Sequence, residues 1–98
     1  MRIRWTLRAL SQLDDIQDHI AEDNPRAAFD VTAKIFDRVE TELPVHPYIG
    51  RAGEHVPGTR ELVISGTPFI VVYRVSEDDD TVQILRVRHG AQKWPPED

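Results

Sequence analysis

The stretch E-D-N-P-R-A-A, Glu22 to Ala28, decides how this chain is divided. A proline biases the residue before it away from helical geometry, asparagine is a favoured N-cap, and proline is well suited to the first helical position. One helix therefore ends near Glu22 and a second begins at Pro25. Upstream, from Leu7 onward, Leu10, Leu13, Ile16 or Gln17, and Ile20 recur at helical spacing and are expected to line one apolar stripe. Downstream, Ala28, Val31, Ile35, Val39 and Leu43 supply a buried face for the second helix, and Phe29 and Phe36 are expected to extend it. So short a turn makes the pair an antiparallel hairpin.

Strands flank the hairpin. Residues 2–6 alternate in the manner of a short first strand. After Leu43, the residues Pro44, Pro47, Gly50, Gly53, Pro57 and Gly58 break the chain into loop. Three strand-like runs follow: R-E-L-V-I (Arg60–Ile64), F-I-V-V-Y-R-V (Phe69–Val75) and T-V-Q-I-L-R-V (Thr81–Val87). S-G-T-P and S-E-D-D-D join them as hairpin loops. The middle run is apolar on both faces, as a central strand covered on both sides requires, and Pro68 at its start costs no ladder bond. The expected fold is α+β in the order β-α-α-β-β-β, with the helical hairpin packed on one face of a largely antiparallel four-stranded sheet.

At 98 residues the chain is expected to form one domain, residues 1–98. It contains no cysteine, which excludes disulfide frameworks and thiol catalysis. The longest apolar run, Phe69 to Tyr73, is far short of the ~20 residues that a membrane span needs. The N-terminus M-R-I-R-W-T-L-R has cations without an apolar segment behind them, unlike a signal peptide. A cytoplasmic protein is expected. The net charge of −5 argues against indiscriminate nucleic-acid binding. The average conceals an asymmetry, however. Arg51, Arg60, Arg74, Arg86, Arg88 and Lys93 follow Gly50, whereas most acids of that half are gathered at Glu77–Asp80 and at the end of the chain.

Most clusters of chemically active residues have plain readings. His46 and His55 lack the spacing of zinc ligands, and no metal or other cofactor is expected. Glu77–Asp80 lacks the glycine and distal glutamate of a calcium loop and reads as a solvated hairpin tip. Asp14, Asp18 and Glu22 form an acidic stripe on the first helix. Neither G-x-S-x-G nor a P-loop occurs. What remains is the end of the chain, R-V-R-H-G-A-Q-K-W (Arg86–Trp94). An RNA-cleaving site needs a base for the 2′-hydroxyl proton and cations for the phosphate. His89 could be the base, and Arg60, Arg86 and Arg88 the clamp. In a regular strand Arg86 and Arg88 share a face from which His89 points away.

The segments G-T-R-E-L-V-I (Gly58–Ile64), P-F-I-V-V-Y-R-V (Pro68–Val75) and I-L-R-V-R-H-G-A-Q-K-W-P (Ile84–Pro95) together resemble the RelE/ParE superfamily of toxin–antitoxin toxins. So do D-N-P-R-A-A (Asp23–Ala28) and W-T-x-x-A-x-x-x-L (Trp5–Leu13). The resemblance spans nearly the whole chain and implies the same small α+β fold. It also implies one of two targets: one branch resembles ribosome-dependent mRNA endonucleases, the other ParE-like inhibitors of DNA gyrase. The nuclease branch often has R-L-V-Y on its central strand; here the stretch is I-V-V-Y, with Ile70 in the place of the arginine. That difference and the His-Gly with a nearby Trp favour the gyrase branch. The resemblance implies a cognate antitoxin as partner and a toxin–antitoxin hetero-oligomer, and Arg60, Arg86, Arg88, His89 and Trp94 are expected to form the target-binding surface. Two alternatives stay open. One is a ribonuclease acting on ribosome-bound mRNA through His89 and Arg60, and the other is a non-toxic member that only binds antitoxin.

Overall fold

A computed structural model describes residues 1–53 and 55–91. The elements are β1 (Arg2–Trp5), α1 (Leu7–Ala21), α2 (Pro25–Glu42), β2 (Arg51–Ala52), β3 (Arg60–Val63), β4 (Phe69–Ser76) and β5 (Thr81–His89). They build a two-layer α+β fold in which the helical hairpin covers one face of a mixed sheet ordered β1-β5-β4-β3-β2. The sheet has five strands, not the four expected, because Arg51 and Ala52 pair with Glu61 and Arg60. Two residues are too few to show an alternation, and they lie between Gly50 and Gly53 in a stretch that otherwise reads as loop. β1 is parallel to β5, and every other pairing is antiparallel.

Both helices begin as the sequence requires. The Asn24 side chain accepts a hydrogen bond from the Ala27 N–H at 3.1 Å, with Pro25 in the first turn. Thr6 caps α1 rather than ending β1: its hydroxyl accepts from the Ala9 N–H and donates to the Ile84 carbonyl at 2.8 Å. One side chain thus starts a helix and ties it to β5. On α2, Val31 is partly buried, while Ala28, Ile35 and Val39 are fully buried, as is Leu43 at its C-cap. Burying each of the three large side chains contributes about 1.5–3 kcal/mol. Phe29 and Phe36 do not extend that face and are 66% and 45% exposed. Each lies one residue, about 100°, beyond the buried stripe. Phe36 instead stacks on Trp5, with ring centroids 5.7 Å apart.

β4 is buried from Phe69 to Tyr73, as expected of the central strand. Its register with β5 shifts once: Tyr73 pairs with Ile84, but Val72 pairs with Arg86, so Leu85 is an extra residue on β5. Val82, Ile84 and Val87 can therefore all join the helix-side core. Gln12 of α1 accepts the Val87 N–H just past this bulge, at 2.8 Å.

At the other end of the core Tyr73 is fully buried, and its hydroxyl accepts a hydrogen bond from the Gly50 N–H at 2.9 Å. A Cβ on Gly50 would sit 2.6 Å from that hydroxyl and 2.8 Å from the Glu61 carbonyl oxygen. Gly50→Ala should therefore lower stability by about 1–3 kcal/mol through overpacking, measured as a shift of the urea midpoint. Tyr73→Phe leaves a buried N–H without this acceptor and should cost about 1–3 kcal/mol near neutral pH. Burial raises the Tyr73 phenol above its ordinary 10.0, with Gly50 and Arg60 acting in the opposite direction. The folded state thus favours the protonated phenol. Its contribution is complete below about pH 10 and is lost as pH rises through the higher folded value. The stability gap between wild type and Tyr73→Phe should narrow above about pH 10. A gap independent of pH would show that the phenol titrates alike in both states.

Candidate functional site

Residues paired across strands share a face, so the register sorts the arginines. Arg2 and Arg4 on β1, Arg74 on β4, Arg86 and Arg88 on β5, and Arg51 on β2 all fall on the sheet face away from the helices. The helical segment, residues 7–42, carries nine acids against four cations. The molecule is therefore acidic on its helical side and basic on its open sheet face, despite a net charge of −5.

Within the basic face the arginines have different surroundings. Arg88 is buried, with Nη2 3.4 Å from Glu61 Oε1. The same oxygen receives Arg51 Nη2 at 3.0 Å. Glu61 is only 4% exposed, so a carboxylate inside the face is neutralised by two guanidiniums. Arg86 is half-buried and lines a hollow of about 380 Å3 with Arg8, Val56, Val72 and Leu85. The loop residue Val56 thus lies on this side of the sheet, near the buried Val72.

Arg60 opens β3, and its guanidinium is turned to the loop before it. Nε donates to the Gly50 carbonyl at 3.1 Å and Nη2 to the Tyr48 carbonyl at 3.2 Å, while the group lies 5.3 Å from the Tyr48 ring centre. The Tyr48 hydroxyl donates to Glu77 Oε1 at 2.6 Å, and that hydrogen bond raises its pKa. Arg60 therefore holds the loop to the sheet.

His89 is on the helix side, paired with Phe69 and edge-on to its ring at 5.4 Å. Its Nδ1 accepts the Ala91 N–H at 3.0 Å. It borders a hollow of about 270 Å3 with Gln12, Asp15, Ile16 and His19, and no guanidinium lines that hollow among the described residues. Arg60 pairs with Tyr73 and His89 with Phe69, four residues apart on β4, which is roughly 13 Å along the strand. The structure brings Arg86 and Arg88 onto one face with Glu61, and it separates both from His89 and from Arg60. Trp94 lies outside the described residues. No group of His, Cys, Asp or Glu able to hold a metal ion occurs among the described residues. Glu61 and Arg51, Arg2, Arg4 and Arg74 were not among the expected site residues. Only strand register places them together.

Residues 3–94 match the family model described as the ParE toxin of type II toxin–antitoxin system, parDE. The chain belongs to this ParE toxin family. Over 94 residues it is 48% identical to the protein Y4kP of Sinorhizobium fredii, covering 96% of this chain and 93% of that one. It is 33% identical over 91 residues to Toxin RelE2 of Caulobacter vibrioides, covering 93% and 97% of the two. Among solved structures it resembles the chromosomal ParDE toxin–antitoxin system from P. aeruginosa. That match has a TM-score of 0.77 at 30% identity and covers 91% of this chain and 95% of that chain. The RelBE2 toxin–antitoxin complex from Mycobacterium tuberculosis matches with a TM-score of 0.69 at 26% identity, over 93% and 92%. The resemblance read from the sequence is thus correct at the level of the superfamily: the chain is a type II toxin of the ParE/RelE group.

In this ParE-family chain Arg88 should behave as a structural anchor. Arg88→Ala removes a guanidinium from a buried carboxylate and should cost about 3 kcal/mol. Arg51→Ala, at a side chain 58% exposed, should cost less than about 1 kcal/mol. Denaturant titration of the two variants tests this, and equal, small losses would remove the anchoring role.

Proposed function

We propose that the protein inhibits DNA gyrase as a ParE-like toxin, acting by binding rather than by bond cleavage, and that a cognate antitoxin neutralises it. The observation that carries this reading is the separation of His89 from the arginines. A general base and a phosphate clamp must both reach one reacting phosphodiester. Here His89 faces the helices, Arg86 and Arg88 face the other way, and Arg60 is roughly 13 Å along the sheet. Ile70, at the position of the nuclease-branch arginine, is 8% exposed and pairs with Arg88. An aliphatic side chain there offers no charge to a phosphorane. The family match to ParE toxins supports the same branch. The antitoxin partner is supported by the two structural neighbours, which are a ParDE system and a RelBE2 toxin–antitoxin complex.

The test is made on the purified chain. Gyrase-driven supercoiling of a relaxed plasmid should fall as the chain is added and recover when antitoxin is added. In growth-arrested cells expressing the chain alone, a map of RNA 5′ ends should show no new cuts within translated codons. New codon-internal cuts that disappear in His89→Gln would replace this reading with the ribonuclease one. Continued growth on expression would leave a member that binds antitoxin and poisons nothing.

A further inference from the structure

We propose that the open sheet face binds the sugar–phosphate backbone of duplex DNA directly. This deepens the gyrase reading, on which it rests only for its consequence: a toxin that touches the nucleic acid as well as the enzyme. Arg2 and Arg4 on β1 are exposed and pair with Thr81 and Gln83. Gln83 pairs in turn with Arg74, also exposed. Arg4 and Arg74 thus flank Gln83 two strand spacings apart, roughly 10 Å between backbones. Arg86 continues the same face beyond the bulge. Between β1 and the β4–β5 hairpin lies a hollow of about 560 Å3, edged by Arg2, Arg4, Ser76, Thr81 and Gln83. One acid, Asp79, also borders it, and its backbone carbonyl receives Arg2 Nη2 at 3.4 Å.

Guanidinium forks match phosphate oxygens two at a time, and hydroxyl and amide side chains are common auxiliary phosphate contacts. The choice of duplex over single strand rests on what the face lacks. Single-strand binders stack bases on aromatic rings, and none of the described strand residues on this face is aromatic. A peptide that docks through apolar side chains set beside its charges would find only Ile3 for them in the hollow by Arg2 and Arg4. The acidic helical side is repelled by a polyanion, so the chain would approach DNA by this face.

The measurement is fluorescence anisotropy of a labelled duplex of about 20 base pairs, titrated with the chain from about 50 to 200 mM salt. Three phosphate contacts, by Arg2, Arg4 and Arg74, predict a slope of log affinity on log salt of about −3. The double variant Arg4→Gln, Arg74→Gln should flatten that slope by about 2 and weaken binding by about tenfold or more. Lys34→Gln, on the acidic helical side, should leave binding unchanged. Both substituted arginines are exposed, and an unaltered thermal transition confirms the fold. No salt-dependent binding of the duplex, or equal binding by the double variant, overturns the proposal. So does competition by polyglutamate or single-stranded RNA that equals competition by unlabelled duplex. Because no gyrase is present, failure here leaves the supercoiling result standing, and failure of gyrase inhibition leaves DNA binding measurable.

Discussion

Between Ile84 and Arg86 the last strand carries one residue more than its partner, and strict alternation would have directed Arg86 and Arg88 into the core behind Val82 and Ile84. Two guanidiniums facing the helices would have no solvation there, and the desolvation cost of each is several kcal/mol. With Leu85 inserted, Val87 joins the core and the arginines emerge on the opposite face. The bulge also places His89 on the helix side. The placement of charge in this small toxin therefore depends on one irregularity, held between the Thr6 bonds to β5 and the Gln12 bond to Val87.

Arginine does several different things here, and its neighbours determine which. Arg88 neutralises the buried Glu61 together with Arg51. Arg60 fastens a loop through two carbonyls and a tyrosine ring, beside the contact where Gly50 meets the Tyr73 hydroxyl. Arg2, Arg4 and Arg74 are exposed around the polar Gln83. Sequence proximity groups Arg86, Arg88 and His89, yet alternation and the bulge send the histidine to the other side of the sheet. A cluster in the sequence is not a cluster in space once a strand intervenes.

Much of the fold was legible because its signals are local. Asn24-Pro25 sets a cap that needs nothing beyond the next turn, and the apolar period of α2 appears in the buried residues Ala28, Ile35, Val39 and Leu43. The five apolar residues of β4 declare a central strand, and all five are buried although the helices cover only one face of the sheet. The failures have equally local causes. Phe29 and Phe36 are as apolar as their neighbours, and only their angle around the helix axis leaves them exposed. β2 is too short to carry a period.

The sequence by itself determined the α+β class, both helix starts, the last three strands and the superfamily, since capping, periodicity and the individual motifs each lie within short stretches of chain. Tertiary structure decided the parallel pairing of β1 with β5, the partner of Glu61 and the gathering of arginines from β1, β4 and β5 on one face. Those arginines lie as far as 86 positions apart in the chain, from Arg2 to Arg88. Only hydrogen-bond register, which depends on both strands and on one extra residue, brings them together.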